Sequence, residues 1–186
     1  MNQLCDDATL KTLLEAMRTA PNDQIEQLDR ALATYPQDAR LHFLRGSMLA
    51  GAGRYIEAHQ ALKHAVELAP DYAIARFQLG FFELTSGETA NALETWGRLD
   101  GLPDGHYLRK FVDGLRCLIR DEFAAVIVSL SEGIALNSEN PPLNNDMALI
   151  IERCRPLAEK AHSGTEEAAS QTALILQQFT QRQRPN

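Results

Sequence analysis

The sequence predicts an all-α fold, a solenoid of antiparallel helix pairs, on three observations. Gly46, Gly53, Tyr55, Ala58 and Leu62 recur 34 residues later as Gly80, Gly87, Thr89, Ala92 and Trp96. Phe43, Phe77 and Phe111 keep the same interval and carry the register into a third copy. A period held at so many positions marks a structural repeat. The composition agrees, since 45% hydrophobic residues with only 6% aromatics suits an alanine- and leucine-rich helical core.

The elements follow in order. Residues 1–38 read as a degenerate first repeat with its frame starting at Cys5. Leu10, Leu13, Leu14 and Met17 share one side of a helix over Thr9 to Arg18. Pro21, Asn22 and Asp23 form a turn with an N-cap, and Ile25, Leu28 and Leu32 carry a second helix to Tyr35 and Pro36. Leu28 falls at the Leu62 position and Pro36 at the Pro70 position, but Thr12 and Gln24 replace the small Gly46 and Ala58.

Residues 39–72 and 73–106 are the clear repeats. Small residues at Gly46 and Ala58 let two helices approach closely, and Leu62 and Trp96 fill the space between pairs. Gly53 ends the first helix because glycine takes the left-handed conformation without a Cβ clash. Gly97 interrupts the second helix of the third repeat. In residues 107–140 Gly114, Phe123 and Leu130 keep their places, Asp121 takes the turn glycine's, and Val126 replaces Ala92. The larger Val126 is expected to push its helix pair slightly apart.

Residues 141–186 form C-terminal helices and a capping tail. Ala148 continues the frame in a helix from about Leu143 to Lys160. Ser163 and Glu166 then have the spacing of a capping box. A last helix over roughly Glu166 to Gln181 presents Ala169, Ala173, Leu176 and Phe179 on one side.

Leu79-Gly80 with Ala92 and Trp96, and Gly46, Tyr55, Ala58, Leu62 and Pro70 one period earlier, resemble the tetratricopeptide repeat family. The resemblance implies a right-handed superhelical solenoid whose first helices line a concave groove. The groove-facing positions it implies are Arg40, Phe43, Ser47 and Ala50, then Ile74, Phe77, Phe81 and Leu84, then Leu108, Phe111, Leu115 and Leu118. Exposed, so apolar a strip exceeds what a monomer tolerates. It is therefore a partner site, or it is covered by the protein itself, or the phenylalanines are ordinary packing between helices. The family's best-known ligand, a chaperone tail's C-terminal carboxylate, needs cations and amides where this chain has Phe43, Ser47, Gln78, Leu108 and Val112.

Charge and motifs exclude several function classes. A net charge of −7 argues against non-specific nucleic-acid binding, which needs clustered Lys and Arg. Arg109, Lys110, Arg116 and Arg120 form a basic edge, read as a solvated face rather than a docking site for an acidic partner. The acidic N-terminal stretch reads as neither signal peptide nor anchor, and no apolar run approaches membrane-spanning length. Cys5, Cys117 and Cys154 suggest no disulfide framework, so a cytoplasmic location is expected. His59 and His64 are five apart, which is not the spacing of a two-histidine metal site on a helix. No catalytic motif is present, Cys117 reads as a small apolar filler, and no catalytic residue, metal or cofactor is expected.

The expected function is a non-enzymatic protein-protein interaction module, in the form of a chaperone or assembly adaptor that binds a partner's apolar helix or peptide in the groove. The alternative is a structural or dimerising repeat protein whose groove is filled by its own C-terminal helix. That helix either folds back toward the concave side or docks only on the last repeat.

Overall fold

The computed structural model describes residues 4–20, 23–162, 172 and 174–176, and among them there are helices and connecting turns but no strand. The helices are α1 (Asp7–Thr19), α2 (Gln24–Thr34), α3 (Ala39–Gly51), α4 (Tyr55–Leu68), α5 (Ala73–Thr85), α6 (Thr89–Trp96), α7 (Tyr107–Ile119), α8 (Phe123–Leu136) and α9 (Pro141–His162). A 3-10 segment, Gly97–Gly101, follows α6. No helix among the described residues is long and apolar enough to cross a membrane. The chain divides into two compact units, one reaching Leu79 and one starting at Gly80.

In the first unit α3 and α4 pack as a pair, and α2 packs on α3. Gly46 makes the close approach: a Cβ there would lie 2.7 Å from Leu62 Cγ. Asp38 caps α3 by accepting from the Arg40 backbone N–H, and its second oxygen accepts from the Cys5 N–H at 3.0 Å. That second bond ties the N-terminal segment to the start of α3. Asp6 caps α1 through the Thr9 N–H at 2.7 Å, whereas Asp23, at the N-cap of α2, makes no side-chain cap bond.

The α1/α2 pair, where Thr12 and Gln24 replace the small residues, is looser. Thr12 is exposed, with its hydroxyl turned back to the Ala8 carbonyl at 2.9 Å. An open cavity of about 450 Å³ remains between the helices, lined by Cys5, Thr12, Leu13, Ala16, Ala31 and Tyr35 among others. Cys5, Met17, Leu28 and Leu41 form the buried cluster beside it.

In the second unit α7 packs on α8, and α8 on α9. The register reappears as a repeated contact: a Cβ on Gly80 would lie 2.3 Å from Trp96 Nε1, and one on Gly114 would lie 2.5 Å from Leu130 Cδ2. To the facing backbone the pair carrying Val126 stands slightly wider than the pair carrying Ala58: a Cβ on Gly114 would lie 3.3 Å from the Leu130 N, against 3.1 Å from Gly46 to the Leu62 N. Gly133, on the same helix, stands where α4 has Ala65. Gly97 ends α6, the expected interruption of the third repeat's second helix.

The α3/α4, α5/α6 and α7/α8 turns share one geometry. Gly53 (φ 74°), Gly87 (φ 86°) and Asp121 (φ 57°) are left-handed. The residue after each donates its N–H five residues back, Arg54 to Leu49, Glu88 to Glu83 and Glu122 to Cys117, at 2.8–3.0 Å. These bonds satisfy helix-end carbonyls that would otherwise lack partners. Helix α9 runs through Pro156 and turns Leu143, Met147, Ile150 and Cys154 inward. Asn145, Glu152 and Arg155 stay exposed, and so does Ala148, the frame's counterpart of the buried Gly114.

Candidate functional site

The strip implied by the repeat positions divides by exposure. In the first unit Arg40, Phe43, Ser47 and Ile74 are half-buried, while Ala50 and Phe77 are buried. In the second unit Phe81, Leu84, Leu108, Phe111, Leu115 and Leu118 are all buried. As folded, these six side chains offer a partner no surface.

Phe111 shows how its ring is taken up. A Cβ on Gly133 of α8 would lie 2.4 Å from Phe111 Cδ1, so the ring fills the room left by the missing side chain. Tyr107 meets the same ring edge to face at 5.7 Å. Phe111 is thus a packing residue between α7 and α8.

The half-buried members have local partners. The Phe43 ring meets Tyr72 edge to face at 5.5 Å, a favoured aromatic geometry. The Ser47 hydroxyl donates to the Phe43 carbonyl at 3.0 Å, one turn back in α3. Arg40 is committed: it donates to Asp38 at 2.7 Å, to Asp7 at 2.9 Å and to the Cys5 carbonyl. Burial pushes the Asp38 carboxyl up, but the hydrogen bonds from Arg40 and from the Cys5 backbone outweigh it and hold the group below its ordinary value. This network secures the N-terminal segment and leaves Arg40 little freedom to meet a ligand.

The C-terminal end of α7 and the turn after it meet residues of the expected last helix. The Thr172 hydroxyl, buried, lies 2.5 Å from both the Leu118 carbonyl and Asp121 Oδ1, and the Thr172 N–H donates to the same carboxylate at 3.3 Å. Ile175 and Leu176 are buried and Leu174 is exposed, so one side of this helical stretch is docked. Of the last helix's expected apolar side, Leu176 is buried, while Ala169, Ala173 and Phe179 lie outside the described residues, as do Ser163 and Glu166.

The basic edge is paired throughout. Arg109 reaches Asp104 at 3.0 Å, Lys110 reaches Glu132 at 2.7 Å, Arg116 reaches Asp100 at 2.6 Å and Arg120 reaches Glu122 at 2.7 Å. Asp104 thus pairs with the first turn of α7 and Asp100 with its last. Among the described residues no three His, Cys, Asp or Glu side chains gather to hold a metal. His64 instead meets His42 of α3, with ring centroids 4.5 Å apart. Burial, reinforced by His64 and opposed by the Pro36 carbonyl, lowers the His42 pKa.

The thiols are held in their neutral form. Burial, aided by Glu122, raises the Cys117 pKa despite Arg120 at 3.4 Å, and burial alone raises that of Cys154 to about 11. Nucleophilic thiols have the opposite shift. No protein-family model matches this chain, and a search of curated proteins finds no relative.

Proposed function

We propose that this chain is a non-enzymatic protein-interaction module of tetratricopeptide-like design. In this reading the half-exposed Phe43, Ser47 and Ile74 in the first unit receive a partner's apolar helix or extended segment. The single observation that carries it is the split in exposure along the strip, which leaves aromatic and aliphatic surface open in the first unit while the second unit's share is buried. Covering such surface yields about 25 cal/mol per Å² of apolar area, so a short segment gives moderate affinity. A chaperone or assembly adaptor in the cytoplasm, binding protein and not nucleic acid, is the form the family resemblance favours.

A second reading has a specific observation behind it. The docked Thr172, Ile175 and Leu176 favour a groove occupied in its second unit by the chain's own C-terminal residues, with self-association as the remaining role. The two readings are compatible, since they use different units of the chain.

The test is cross-linking in the native cell, followed by titration of each captured protein against the purified chain. A saturable complex weakened at least tenfold by Phe43→Ala combined with Ile74→Ala is expected, the equivalent of about 1.4 kcal/mol. A partner whose affinity ignores both changes would remove Phe43 and Ile74 from the site.

A further inference from the structure

The third turn differs from the first two at the residue that matters most for its shape. Glycine adopts the left-handed conformation freely at Gly53 and Gly87, but the chain places an L residue there at Asp121, with φ 57°. Asp121 contributes a carboxylate, and that carboxylate is engaged 51 residues away. It accepts the Thr172 N–H at 3.3 Å and faces the Thr172 hydroxyl at 2.5 Å. The Leu118 carbonyl accepts the same hydroxyl at 2.5 Å. Ile175 and Leu176, three and four positions on, lie on the same side of a helix as Thr172 and are buried with it.

Building on the interaction-module reading, we propose that Asp121 and the Leu118 carbonyl form a second docking site. Its ligand is a helical segment with a hydroxyl residue followed by apolar residues three and four places on. The chain's own Thr172, Ile175 and Leu176 hold the site as a displaceable self-ligand. Two features make the contact separable from the fold. The turn completes its own backbone bonds, Asp121 N–H to Leu118 and Glu122 N–H to Cys117, both 3.0 Å, without the C-terminal residues. Asp121 is also solvent-exposed, so water can replace Thr172 on its carboxylate. The recognition chemistry is selective: a carboxylate beside a carbonyl requires a donor, and it repels an acidic side chain at the Thr172 position.

Two substitutions in the full chain test this. Asp121→Gly removes the acceptor while favouring the turn, and Thr172→Val removes the hydroxyl with little change of shape. Hydrogen exchange at positions 172 and 174–176 should accelerate about tenfold or more in both variants, as expected for loss of a hydrogen bond to a charged group. Amides of α7 and α8 should keep their protection. A fluorescent synthetic peptide of residues 166–181 should then bind the Thr172→Val chain about tenfold more tightly than the unsubstituted chain. The Asp121→Gly chain should show no such gain, because its site lacks the acceptor. Unchanged exchange in both variants would overturn the docking site and leave the reading built on Phe43 and Ile74 standing. Accelerated exchange without peptide binding would overturn displaceability, making the contact a fixed cap and withdrawing the α7 face from the partner surface.

Discussion

Gly80→Leu is expected to be among the most damaging single substitutions in the chain. A Cβ at this position would lie 2.3 Å from Trp96 Nε1 and 2.7 Å from Cδ1 and Cε2, well inside any real contact. The indole has no surface exposure, so it has no solvent to swing into. Overpacking of this kind typically destabilises by about 1–3 kcal/mol, and leucine adds three carbons beyond the one that already clashes. Gly51→Ala is the matched control. Gly51 is also helical, but a Cβ there meets nothing within 4 Å, so alanine should stabilise by about 0.5–1 kcal/mol. Thermal melting should therefore move in opposite directions for the two glycines. Equal and small shifts would mean that Gly80 is not at a helix contact.

Phe111→Ala is the second large effect. The ring is fully buried against Gly133 and Tyr107, and deleting such a side chain typically costs about 3–5 kcal/mol. Phe43→Ala should cost distinctly less, because its ring is only half-buried beside Tyr72. The comparison bears on function as well as stability. If denaturant unfolding shows equal losses, the two phenylalanines share one role, and the split in exposure has no energetic meaning.

The helical pairing was legible because it rests on local spacing. Gly46 with Leu62 and Gly114 with Leu130 each lie within one helix pair, so a 34-residue register suffices to find them. Thr12 and Gln24 marked the first repeat as degenerate, although nothing in the sequence showed the cavity beside Thr12. The burial of Phe111 was hidden for a different reason. A repeat position states which helix carries a residue, but the missing side chain at Gly133 decides where the ring goes.

Long-range polar contacts were the least legible. Asp121 stood out as the residue in a glycine's place, yet nothing near it in sequence names Thr172. The partners of the basic edge were obscured in the same way: Arg116 pairs with Asp100, sixteen residues away across a loop. Such pairs depend on the path of the connecting chain, which carries no periodic signal.

The most direct test of the central claim, that the chain docks its own C-terminal residues at the end of α7 and the turn after it, is apolar-dye binding after removal of residues 164–186. The lost segment carries Thr172, Ile175 and Leu176, so its removal should uncover apolar surface near Leu118 while leaving the α7/α8 turn bonds in place. The expected result is a clear rise in dye fluorescence, with the circular-dichroism signal reduced only by the helix removed. A truncated chain that binds no more dye than the full one would contradict the claim, and a lower melting temperature alongside that result would make the segment an end cap only.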